Sequence, residues 1–142
     1  MVSKAKGQPK DLILIVAREF ASRLATAVLV TDADGTLVYF NEPAERLLAR
    51  TFAETGEQSV EEWVSMVPRE ELDGSPLSVD RLPSRMALRE RRPAHNEFVL
   101  IVGGVRHEIS ATAFPLVSSE RAVVGVFSVF WEREPREGQH PA

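Results

Sequence analysis

The sequence predicts an α+β domain: one five-stranded antiparallel sheet with helices on one face, preceded by an amphipathic N-terminal helix. Three observations carry this. Residues 26–49, TAVLVTDADGTLVYFNEPAERLLA, read as strand, tight turn, strand and capped helix. Residues 98–131 read as a hairpin followed by a long apolar strand, a meander of three. Between them, residues 50–91 show helix caps and helical spacing in place of strand alternation.

The 142 residues suit one domain with a proper core. Residues 1–8 are expected to form a flexible lead. Residues 9–24 fit an amphipathic helix, with Leu12, Val16, Phe20 and Leu24 at every fourth position and Ile13, Ala17 and Ala21 beside them. Arg18, Glu19 and Arg23 take the opposite face, and Ile15 widens the apolar stripe. Such a helix packs on its own domain, or also against a second copy. Leu12, Val16 and Phe20 are the candidate dimer contacts.

In the opening hairpin, residues 27–30 are an apolar run of strand length. Asp34-Gly35 supplies the turn, because glycine tolerates the positive φ a tight turn needs. Residues 36–40 are β-branched and aromatic, which suits a second strand. Asn41 fits an N-cap, with Glu42 facing the helix dipole, Pro43 in the first turn, and Leu47 and Leu48 on the apolar face.

Residues 51–56 read as a polar loop. Ser59 with Glu62 three residues on forms a capping box, and Trp63, Met66 and Val67 supply the buried face of the helix that follows. Residues 72–76 are a turn cluster. Residues 78–91 form a further helix with Val79, Leu82 and Met86 on one face and Arg81, Arg85 and Arg89 on another. Pro83 sets apart or kinks its first turn. Residues 98–102, the Gly103-Gly104 turn and residues 105–114 form a hairpin in which Ile109, Ala111 and Ala113 share a face, and Pro115 is expected to end it. Residues 122–131 are apolar nearly throughout, as in a strand covered on both faces, and residues 133–142 read as a flexible tail.

Composition narrows the function classes. With 17 basic and 21 acidic residues the net charge is −4, which argues against nucleic acid as a partner. No cysteine is present, so disulfides, thiolate metal sites and cysteine nucleophiles are excluded. No apolar run approaches the ~20 residues of a membrane span, and a cytoplasmic location is expected, with no membrane partner. The three histidines stand far apart, so no metal site is expected. No hydroxyl sits in a nucleophile elbow and Gly103-Gly104 is a hairpin turn, so the chain reads as not an enzyme. The stripe Arg81, Arg85, Arg89, with Arg91 and Arg92 after it, is either an anion or partner contact or a solvated face, the latter being commoner.

Taken in order, these segments resemble the PAS domain family over residues 24–132. Residues 29–41, LVTDADGTLVYFN, are similar to its first hairpin, and Glu42-Pro43-Ala44-Glu45 with Leu47-Leu48 to its first helix. Leu82-Pro83 with Met86-Ala87-Leu88 resembles its long helix, residues 109–116 its fourth strand, and residues 124–130 its last. The resemblance implies a curved sheet enclosing a small-molecule cavity over residues 25–132. It also implies a sensing role and dimerisation through the helix at residues 9–24.

That resemblance bears on cofactors. Covalent flavin and cinnamate-type chromophores need a cysteine, which this chain lacks, while a flavin held without an adduct stays open. Haem-binding members carry a histidine on the long helix, where residues 78–92 have none and His95 falls just beyond. The ligand is therefore unassigned, with haem and cysteinyl-flavin disfavoured. Tyr39, Trp63, Met66, Met86, Ile109 and Phe127 are the candidate cavity residues, and His107, on the parity of Ile109, is a candidate polar handle. His140 lies in the tail. The last strand ends Phe130-Trp131-Glu132 without the Asp-Ile-Thr-like junction to an effector, so the chain reads as a stand-alone module or a fragment. Two functions follow: a sensory module that binds a small molecule or a signalling partner and dimerises, or an interaction domain with a filled core.

Overall fold

The computed structural model describes residues 9–133, so the lead, the tail beyond Arg133 and His140 lie outside the described residues. Twelve elements follow one another: α1 (Pro9–Ser22), β1 (Ala27–Asp32), β2 (Leu37–Phe40), α2 (Glu42–Leu48), α3 (Phe52–Thr55), α4 (Val60–Met66), β3 (Arg69–Glu70), a 3-10 turn (Val79–Arg81), α5 (Pro83–Glu90), β4 (Ala94–Val102), β5 (Val105–Val117) and β6 (Val123–Glu132). The strands form one antiparallel sheet of six, in the order β2-β1-β6-β5-β4-β3. The strand beyond the expected five is β3, which pairs Arg69 with Leu100 and Glu70 with Val99. Two residues are too few for alternation to announce a strand.

The first hairpin closes as its residues dictate. Asp32 Oδ1 accepts hydrogen bonds from the Asp34 and Thr36 amides at 2.9 and 3.0 Å, and Gly35 takes a φ of +86°. A Cβ at Gly35 would stand 2.6 Å from Val60 Cγ2, so this position needs glycine for space as well as conformation. Val30 faces Tyr39 while Thr31 faces Leu37, so Val38 is an extra residue in β2. This bulge turns both Val38 and Tyr39 to one side and leaves Leu37 and Phe40 on the other.

The middle of the chain departs from expectation at three places. The polar loop at residues 51–56 contains a helical turn, α3, closed by a Thr51–Glu54 capping box. One turn is too short for periodicity to reveal. The helix at residues 78–91 is two pieces, because Leu82 is extended (φ −69°, ψ 135°) as a residue before proline prefers. Pro115 does not end β5, which runs on to Val117. Ala113 is the last β5 residue paired with β4, so beyond it the strand has only β6 beside it, and a missing N–H is tolerated.

The sheet is covered on both faces. One face packs against α2, α4 and α5 through Ala27, Leu37, Phe40, Trp63, Phe98, Ile109 and Phe130. The other carries α1, with Ala17 and Ala21 against Val28, Val30, Val38 and Phe127. Gly125 permits this close approach of α1: a Cβ there would lie 2.4 Å from the Thr31 carbonyl oxygen and 2.8 Å from Leu14 Cδ2.

Candidate ligand cavity and outer groove

Strand alternation builds two sites on opposite faces of the same strands. Beneath α4 and α5 lies a cavity of about 60 Å³. Its walls are almost wholly apolar and include Leu29 of β1, Leu37 of β2, Trp63 and Met66 of α4, Phe98 of β4 and Phe130 of β6. Trp63 is held in place by a hydrogen bond from Nε1 to the Gly35 carbonyl at 3.0 Å. The first helical hydroxyl of α5, Ser84, and Ser128 of β6 also reach the cavity.

Arg69 lines the cavity too, and sequence reasoning missed it. Its Nη1 donates to the carbonyls of Val64 and Val67, both at 2.8 Å, at the C-terminal end of α4, a position that favours a cation. Its guanidinium carbon stands 4.9 Å from the centre of the Trp63 ring. Burial lowers its pKa to about 10. Nothing in the sequence marks this arginine among the others, because its setting comes from β3 folding back along β4. Ser128 Oγ is the second polar feature: buried, and without a hydrogen-bond partner among the described residues.

The sequence-derived cavity residues divide. Trp63 and Met66 line the cavity. Ile109 is fully buried in the adjoining core without lining it. Met86 is half-buried outside the cavity, whose α5 contribution comes from Pro83 and Ser84 at the start of the helix. Two candidates, Tyr39 and Phe127, lie on the opposite face of the sheet from the cavity. Tyr39 is turned outward by the β2 bulge and sits under Arg18, 5.4 Å from ring to guanidinium carbon. Phe127 has the parity of Val129, so it packs under α1 with its ring centre 5.9 Å from that of Phe20. His107 also lies outside the cavity lining: its Nδ1 hydrogen-bonds Glu132 Oε2 at 2.7 Å.

The opposite face carries an open apolar groove of about 760 Å³ between α1 and the sheet. Leu12, Val16 and Phe20 form its helical wall and are 54%, 59% and 56% exposed. Phe114, Leu116, Phe127 and Val129 form its floor. Asn41 ties this side to the other. It is fully buried and its Oδ1 accepts from the Val28 and Ala44 amides at 2.9 and 3.2 Å. Its Nδ2 donates to the Ala21 and Thr26 carbonyls, both at 2.9 Å. One side chain thus caps α2 and clamps the end of α1 to β1.

The arginine stripe is largely matched by acids. Arg81 meets Glu71 at 2.8 Å, Arg89 meets Asp80 and Glu90 at 3.7 Å, and Arg92 meets Glu90 at 3.3 Å. His95 instead bonds Thr112 and Ser110 on the sheet surface. Among the described residues no three histidines or carboxylates are placed to hold a metal ion, and no helix is long and apolar enough to cross a membrane.

A curved antiparallel sheet with an apolar cavity on one face and an amphipathic helix on the other defines a cavity-bearing α+β domain. The family model described as PAS fold matches residues 21–138, and the chain belongs to the PAS family. Among solved structures, the PAS domain of Bordetella pertussis BvgS is similar, with a TM-score of 0.61, 14% identity and 87% of each chain covered. A PAS domain from Colwellia psychrerythraea gives 0.60 and 17%, covering 87% of this chain and 99% of that one. The Rhodobacter sphaeroides LOV protein gives 0.65 and 14%, covering 89% and 69%. No curated protein sequence matches the chain.

Proposed function

We propose that this chain is a regulatory sensor module that takes a small, mostly apolar molecule into its cavity and works as a homodimer through α1. The observation that carries this reading is the alternation in β1 and β6. Leu29 and Phe130 face the cavity, while their neighbours Val28 and Val129 pack toward α1. A molecule pressing on one face therefore acts on the strands that support the helix on the other. Ligand binding shifts the balance between two α1 settings, and the dimer or a signalling partner reads the difference. The exposed apolar wall of the groove supports a partner there.

The role is read as non-catalytic, since among the described residues no carboxylate or imidazole lines the cavity. A cytoplasmic location accompanies it. The cavity volume bears on the ligand. At about 60 Å³ it is far below the ~300 Å³ and upward of ordinary cofactor pockets, so flavin and haem do not fit this arrangement. The same small volume favours the second reading, an interaction domain with a nearly filled core. Both readings keep the α1 dimer. Native mass spectrometry of the wild-type chain and of Val16→Glu tests it, with a dimer expected from the first and a monomer from the second. Equal masses would remove α1 as the interface.

A further inference from the structure

We infer that the cavity selects a small anion with an apolar body, a short-chain monocarboxylate, and that Arg69 binds its carboxylate. The inference rests on the cavity being a ligand site. Its starting point is an incompletely used arginine. Only Nη1 of Arg69 makes hydrogen bonds to described residues, and both go to backbone carbonyls. Among the described residues no carboxylate lies within 4.0 Å of it, whereas Arg81, Arg89, Arg92, Arg106 and Arg133 each meet one. Capping α4 accounts for Nη1 and leaves Nε and Nη2 over. Those two donors form the fork that matches a carboxylate.

Nε and Nη2 are not among the buried unpartnered atoms of the described residues, so this side of the half-buried guanidinium reaches solvent and stays open to an anion arriving at the cavity. The Trp63 ring holds the guanidinium in place, which limits what is lost in ordering it. Among the described residues no acidic side chain lines the cavity to repel an anion. Ser128 gives an independent sign, since its buried hydroxyl lines the same cavity and has no partner among the described residues. Size then limits the anion. A water needs ~10–15 Å³ on this measure, so about 60 Å³ holds about five non-hydrogen atoms. The apolar walls suit a hydrocarbon body and disfavour phosphate or sulfate, which are polar throughout.

The test compares propionate with propionamide, a neutral molecule of nearly the same shape, by isothermal titration of the whole chain at neutral pH. Propionate is expected to bind the wild type about ten-fold or more tightly than propionamide. Arg69→Met is expected to remove that preference. Arg69→Lys, which keeps the charge and loses the fork, is expected to reduce it, and circular dichroism shows which variants fold. Equal or weaker binding of propionate to the wild type would overturn the inference, as would a folded Arg69→Met that keeps the preference. Xenon, an uncharged probe of dry cavities, separates the two levels. If xenon moves the Trp63 indole resonance and propionate does not bind, the anion is wrong and the cavity reading stands. If neither enters, both fail.

Discussion

Asn41 uses all of its hydrogen-bonding capacity, two acceptances and two donations, at a fully buried position. Replacing it with alanine removes a helix cap, the acceptor of the Val28 amide and the donations to the Ala21 and Thr26 carbonyls, of which Ala21 keeps the Leu24 amide. Asn41→Ala is therefore expected to lose about 2–4 kcal/mol in urea unfolding, with faster amide exchange in the last turn of α1. A loss under about 0.5 kcal/mol would contradict the clamp. The cap itself was legible, because the bond to Ala44 is local and follows from residue type. The bonds to Ala21 and Thr26, reaching 20 and 15 residues back, were not. Gly35 shows the same division: its positive φ was readable from Asp34-Gly35, while its contact with Val60 required the fold. Arg69 carried no local signal at all.

At the scale of the element, strongly periodic and well-capped segments were legible and short or edge segments were not. The α4 capping box and the separation of the turn before Pro83 follow from residue chemistry alone. α3 and β3 escaped because four and two residues cannot display a period. α3 is expected to respond to pH. The Thr51 backbone N–H, and after it the Thr51 side chain, hold the Glu54 carboxyl below its ordinary range. A depressed carboxylate stabilises the fold above its unfolded pKa, and that contribution is lost as pH falls through the lower folded value. Amide exchange at residues 51–56 is therefore expected to quicken on acidification before that of the β5–β6 ladder. Glu54→Gln should remove the pH dependence, and a dependence that survives the substitution would assign it elsewhere.

For the molecule as a whole, the fold class followed from the order of its elements, but the division of residues between the two faces did not. Phe127 lies in a strand that is apolar on both sides, so hydropathy could not assign its parity. Tyr39 was misassigned because a bulge shifts the alternation by one. The faces matter because the functional proposal is a property of the whole sheet: cavity beneath, dimer helix above, shared strands between. Whether the cavity admits a molecule decides between a sensor and a filled interaction domain. The chain has two tryptophans, Trp63 buried at the cavity and Trp131 exposed on the sheet, so their indole N–H resonances report site and control in one spectrum. Under xenon pressure the Trp63 resonance is expected to move saturably while that of Trp131 stays in place; a Trp63 resonance that does not move would show a core closed to ligands.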